Sequence, residues 1–74
     1  MSSESGQEMQ QELQEIIGAL DVLFTLREEV AQWVGEAQNE PTREALDNVL
    51  GHVVAMETEY KRRRENVEKK LNPR

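Results

Sequence analysis

Leu13 to Ala37, LQEIIGALDVLFTLREEVAQWVGEA, decides the reading of this chain. Taken from Met9 onward, apolar residues recur at Met9, Leu13, Ile16, Leu20, Leu23, Val30, Val34 and Ala37, with Arg27 at the one position where an apolar side chain is expected. The steps alternate between four and three residues, which is the spacing of a heptad seam on an α-helix. Two further rows at seven-residue spacing flank the seam: Ile17, Phe24 and Ala31 on one side, Ala19, Leu26 and Trp33 on the other. A helix with so wide an apolar stripe needs more than one neighbour.

A chain of 74 residues forms one small domain and buries little surface by itself. It has no cysteine, so disulfides cannot reinforce it, and no His and Cys cluster has zinc-ligand spacing. Self-association or a partner protein is therefore the expected source of further stability, and no cofactor or metal is expected. Met1 to Glu8 carries two acids, no base and no following apolar core, so it does not read as a conventional secretory signal. The apolar run Ile16 to Leu26 is interrupted by Asp21 and is too short to span a bilayer. The sequence thus points to a soluble, cytoplasmic protein without a membrane segment, with secretion by a signal-independent route left open.

The net charge of −6 is unevenly placed: residues 1–39 hold eight acids and one Arg, whereas residues 40–74 hold seven acids and eight bases. Such a split suits two helices lying side by side, and it suits helix dipoles that favour acids at the start of the first helix and bases at the end of the second.

In chain order, residues 1–5 read as a disordered tail. Ser5 to Glu8 fits a capping box, with the Ser5 hydroxyl on the third helical amide and Glu8 reaching back. Helix 1 is expected over about 6–38, a turn at 39–41 where Pro41 disfavours helical geometry at Glu40, and helix 2 over about 41–71, ended by Asn72 and Pro73. So short a connection predicts an antiparallel hairpin, a single domain over 6–72.

The seam of helix 2 is read as Leu46, Val49, Val53, Met56, Tyr60, Arg63, Val67 and Lys70. Folding at Asn39 and Glu40 then stacks Val34 on Leu46, Val30 on Val49, Arg27 on Val53, Leu23 on Met56, Leu20 on Tyr60, Ile16 on Arg63 and Leu13 on Val67. Two independent heptad patterns mesh around one turn. The flanks do not: Phe24 falls beside Glu57, Ile17 beside Arg64 and Leu26 beside His52. Fully burying a Leu, Ile or Phe side chain is worth ~1.5–3 kcal/mol, so covering Ile17, Phe24, Leu26 and Trp33 favours two hairpins dimerising into a four-helix bundle with the first helices at its centre. The expected dimer or partner interface is Leu13, Ile16, Ile17, Leu20, Leu23, Phe24, Leu26, Val30 and Trp33.

Arg27 on the seam is the kind of polar residue that fixes register or oligomeric state, and His52, placed near it by this register, could make association pH-sensitive. Lys61, Arg62, Arg63 and Arg64 form a basic run that would neutralise phosphates in a nucleic-acid binder. Four consecutive helical residues point around the whole circumference, however, and the overall charge is acidic, so pairing with the acidic first half is the simpler use. Nothing resembles a nucleophile beside a base or a phosphate loop, so no catalytic residue is assigned and no enzymatic activity is expected. The expected function is a non-catalytic protein–protein interaction module: a small adaptor, regulator or chaperone.

Trp33, Val34 and Gly35, extended by Ala37, resemble the Trp-x-Gly signature of the WXG100 family of small secreted helical hairpins. That resemblance implies secretion and a heterodimer with a similar small helical protein. The chain departs from the family in being shorter and in carrying Arg64 four positions after Tyr60, where the family's C-terminal signal has an acid.

Overall fold

In the computed structural model the described residues are 2–72, with side chains described from residue 6 onward. Two helices pack against each other as a hairpin: α1, Ser2–Glu36, and α2, Glu40–Leu71. The rod measures 57 × 17 × 14 Å.

Residues 37–39 connect the helices. At the end of α1 the Ala37 N–H donates to the Val34 carbonyl at 3.3 Å, a tightened last turn. Asn39 then leaves helical geometry altogether (φ −147°, ψ 163°), and its side-chain oxygen accepts from the Thr42 N–H at 2.9 Å. This is an N-cap in its usual role, satisfying one amide that the helix cannot. Pro41 follows in the first turn, where a missing N–H costs nothing. Glu40 is therefore already helical, contrary to the expectation that Pro41 would exclude it. An acid there and Lys69 and Lys70 in the last turn of α2 both complement the helix dipole. The far end of α2 closes with the Asn72 N–H donating to the Glu68 carbonyl at 2.9 Å, while Pro73 lies outside the described residues.

The beginning of α1 differs from expectation. Its backbone is helical from Ser2, so Ser5 lies within the helix and is not its N-cap, and residues 2–5 of the tail expected over 1–5 are helical; Met1 lies outside the described residues. Ser, Ser and Glu contain nothing that breaks a helix, so the helical backbone runs on past the proposed cap.

Every expected seam position of α1 points inward. Ile16, Leu20, Leu23 and Val30 are buried, and Met9, Leu13, Arg27, Val34 and Ala37 are half-buried. Helix α2 presents a different stripe from the one anticipated: Leu46, Leu50, Val53, Glu57, Tyr60, Arg64, Val67 and Leu71. Val49, Met56, Arg63 and Lys70 stand outside it and are exposed. At alternate layers the inward residue is thus one later in sequence, a helix turned by roughly half of the ~100° that separates successive residues. The turn brings Leu50 and Leu71 inward in place of Val49 and Lys70. The accompanying burial of Glu57 is made possible by Arg27, which faces it from α1 at 2.9 Å.

The core gathers at the open end, where Ile16, Leu20 and Val67 form a cluster with Met9, Leu13, Tyr60 and Leu71 packed on it. That juxtaposition confirms the antiparallel register around the turn. It is a thin core, because no described side chain is fully enclosed.

Candidate interaction surface

The residues proposed from sequence as an interface divide into two groups. Leu13, Ile16, Leu20, Leu23 and Val30 are taken up inside the hairpin. Ile17, Phe24, Leu26 and Trp33 remain exposed, joined by Val22, Val49, Val54 and Met56.

Heptad spacing sorts the flanking residues onto two opposite sides. On one side Ala19 and Arg63 line a groove with Glu12, Glu15, Ile16 and Tyr60. Steps of seven from Ala19 reach Leu26 and Trp33, and steps of seven back from Arg63 reach Met56 and Val49. Leu26, Trp33, Val49 and Met56 therefore form one apolar patch across both helices toward the turn, each between 39% and 50% exposed. We call this the Trp33 face. Towards the open end its continuation is charged, with Glu12 on α1 and Arg63 and Lys70 on α2.

On the opposite side Ile17 and Phe24 line a groove with Asp21, Arg27, Glu57, Lys61 and Arg64. Steps of seven back from Lys61 reach Val54 and then Asp47. This Phe24 face is less uniformly apolar, and the Arg27 guanidinium lies 5.0 Å from the centre of the Phe24 ring. The groove brings Ile17 together with Arg64 and Phe24 with Glu57, as the register had suggested.

Arg27 and Glu57 form the polar interruption of the core. Glu57 is only 7% exposed, whereas the Arg27 side chain keeps 37% of its surface in solvent. Arg27 Nε and Glu57 Oε1 are 2.9 Å apart, but the approach is not aligned as a hydrogen bond, and the buried Nε has no hydrogen-bond acceptor. His52, expected beside Arg27, is instead exposed on the outer surface of α2 in a shallow groove with Glu44, Asp47, Asn48 and Gly51. The cause is the same turn of α2, which gives the Arg27 contact to Glu57.

The basic run does not form one face. Lys61 and Arg64 border the Phe24 groove, with Arg64 half-buried on the stripe. Arg62 and Arg63 are both drawn to Glu59: Arg62 donates from Nε and Nη2 at 3.2 and 2.8 Å, and Arg63 from Nε at 3.0 Å. These bonds, Arg62's first, hold the Glu59 carboxyl below its ordinary range, and the reciprocal bond raises Arg63. Arg63 also stacks over Tyr60 at 5.0 Å.

The Trp33 to Gly35 segment lies within α1, ahead of the connection. Val49, Met56, Val54 and Val22 were the exposed apolar residues that sequence reasoning missed. The first two were assigned to the seam, and Val54 follows Val53 so closely that only the register decides which faces in. Among the described residues no helix is long and apolar enough to cross a membrane, and no three or more His, Asp or Glu side chains converge as a metal site. Compared with protein-family models, curated proteins and solved structures, the chain matches none, so the Trp-x-Gly resemblance has no wider support.

Proposed function

We propose that this chain is a non-catalytic protein–protein interaction module, a small adaptor, regulator or chaperone, that pairs with itself into a four-helix bundle and uses its remaining surface to bind a partner protein. The observation that carries the reading is the division of exposed apolar side chains between two opposite faces of one thin hairpin. A dimer of hairpins covers one such face on each copy, and the second face stays available. Trp and Met, both present on the Trp33 face, are enriched in association surfaces. The titratable groups argue for the same class: the buried carboxylate, Glu57, is committed to Arg27, and Glu59 is committed to two arginines on the outer surface.

Light scattering across a dilution series, with Trp33 emission recorded on the same samples, tests this. The expected result is a mass twice 8.6 kDa that persists on dilution, with blue-shifted emission. A mass of 8.6 kDa at every concentration, with Trp33 emitting as in water, would overturn the self-association.

A further inference from the structure

Resting on that dimer, we infer that the second copy docks on the Trp33 face with both turns at the same end of the bundle. Two arrangements are open to a twofold face-to-face pair. With the axis along the hairpin, each α1 lies over the other copy's α2 at the same level. Trp33 then meets Val49 of the other copy and Leu26 meets Met56, giving two successive wholly apolar layers. Beyond them Glu12 meets Lys70, so the acidic half of each chain lies on the basic end of the other. With the axis across the hairpin, α1 lies over α1 and each turn lies over an open end. That sets the Leu26 and Trp33 end of each α1 over the beginning of the other copy's α1, where the row carries Glu12 and no large apolar residue, and it brings together two helices from the half holding eight acids and one Arg. Apolar matching and charge complementarity both select the first arrangement.

The Phe24 face does not serve as well. The same operation there sets Ile17 against Lys61 and Ala31 against Asp47, leaving the level of Phe24 and Val54 as the one apolar layer. The Phe24 ring is already covered on one side by Arg27. This face is the one left outside the dimer.

The chain lacks cysteine, so Gln38→Cys at the turn accepts a single spin label. In the dimer, the label-to-label distance by pulsed electron resonance is expected at roughly 20 Å, two helix spacings of about 8–10 Å each. Turns at opposite ends place the labels near the full 57 Å length of the rod. In parallel, Met56→Asp is expected to weaken the dimer about a hundredfold by burying an unpaired carboxylate, while Val54→Asp leaves it within about threefold, since that side chain stays in water. Both positions are exposed in the single hairpin, and unchanged helicity by circular dichroism confirms that each variant folds. A dimer with the long distance overturns the same-end arrangement, and a dimer lost with Val54→Asp but kept with Met56→Asp overturns the choice of face. In both cases the self-association itself stands. A monomer in the parent chain removes the dimer reading and this inference with it.

Discussion

Glu57→Leu should stabilise this protein, although it removes a salt bridge from the core. The carboxylate is 7% exposed between Val53 and Tyr60 on the inward stripe, so it has lost nearly all of its hydration. What it receives in return is one 2.9 Å approach from Arg27 Nε that is not aligned as a hydrogen bond. Because the Arg27 side chain keeps 37% of its surface in water, the attraction is screened and is worth about 1 kcal/mol or less. A leucine buried at the same place gains ~1.5–3 kcal/mol, and Arg27 can lay its stem along the stripe and put its head into solvent. The net gain is about 1 kcal/mol or somewhat more, in keeping with the general result that a buried ion pair is matched or bettered by apolar residues. For a domain of this size that raises Tm by roughly 4–8 °C per kcal/mol. The assay is thermal unfolding by far-UV circular dichroism at one fixed chain concentration, because self-association also moves Tm. Arg27→Ala is the companion: it strands the buried carboxylate and should cost about 1–3 kcal/mol. A lower Tm for Glu57→Leu would refute the reasoning, since the pair would then be worth more than its geometry allows.

Asn39→Ala removes the acceptor of the Thr42 N–H and should cost about 1 kcal/mol, read as a fall in the urea midpoint with an unchanged slope. Gly18 lies mid-helix, where an added Cβ meets nothing within 4 Å, so Gly18→Ala should raise stability by about 0.5–1 kcal/mol, seen in the same unfolding experiment. Glu59 titrates below its ordinary range because Arg62 and Arg63 bond its charged form, so its contribution is present above the unfolded carboxylate pKa and is lost as pH falls through the depressed one. Arg62→Gln should therefore move the Glu59 midpoint upward, and by more than Arg63→Gln does, in a carboxyl-carbon NMR titration.

Helix α1 was legible from its sequence because its contrast is unambiguous. The seam from Met9 to Ala37 is the row that recurs at alternating steps of four and three, whereas the apolar rows beside it recur only every seven residues, and the structure turns that seam inward. Helix α2 offers two stripes. Val49 and Leu50, Val53 and Val54, and Met56 beside Glu57 allow either of two faces to be read as apolar, and hydropathy favours the one containing Met56. The deciding fact lies on the other helix, where Arg27 gives Glu57 a partner that no pattern within α2 contains. The hairpin and its turn were therefore predictable, while the rotation of α2 was not. Trp33, Leu26, Phe24 and Ile17 were correctly seen as surplus to a two-helix seam. Their neighbours Val49 and Met56 were hidden by the misread stripe. The early start of α1 escaped for a simpler reason: Ser5 to Glu8 has capping chemistry, and the serines before it are equally able to enter a helix.

The buried pair and the exposed patch are two consequences of one rotation. Had α2 turned to bury Met56 and Val49, Glu57 would lie in water and Arg27 would face the stripe without its carboxylate partner, with Arg63 and Lys70 turned inward as well. Leu26 and Trp33 would then stand on the outer surface without apolar neighbours from α2. The observed rotation gives up the burial of Val49 and Met56 and accepts a poorly aligned charge pair in the core, yet it gains Leu50 and Leu71 inside and a continuous apolar face outside. Within a single hairpin the exposed Val49 and Met56 contribute little, because most of their transfer free energy is realised only when water is removed from both faces of the contact. In the proposed dimer the second copy removes it. There the angle of α2 that sets Glu57 against Arg27 bears on association from outside the interface, because it also presents Met56 and Val49 beside Leu26 and Trp33. Glu57→Leu keeps that angle, since a leucine in place of the glutamate is as well suited to the stripe as Leu50. Exchanging the two neighbours, with Met56→Glu and Glu57→Met, also keeps that angle, because it leaves an apolar residue on the stripe, but it puts a carboxylate in place of Met56 on the Trp33 face, so the dimer should be lost even as the hairpin remains folded.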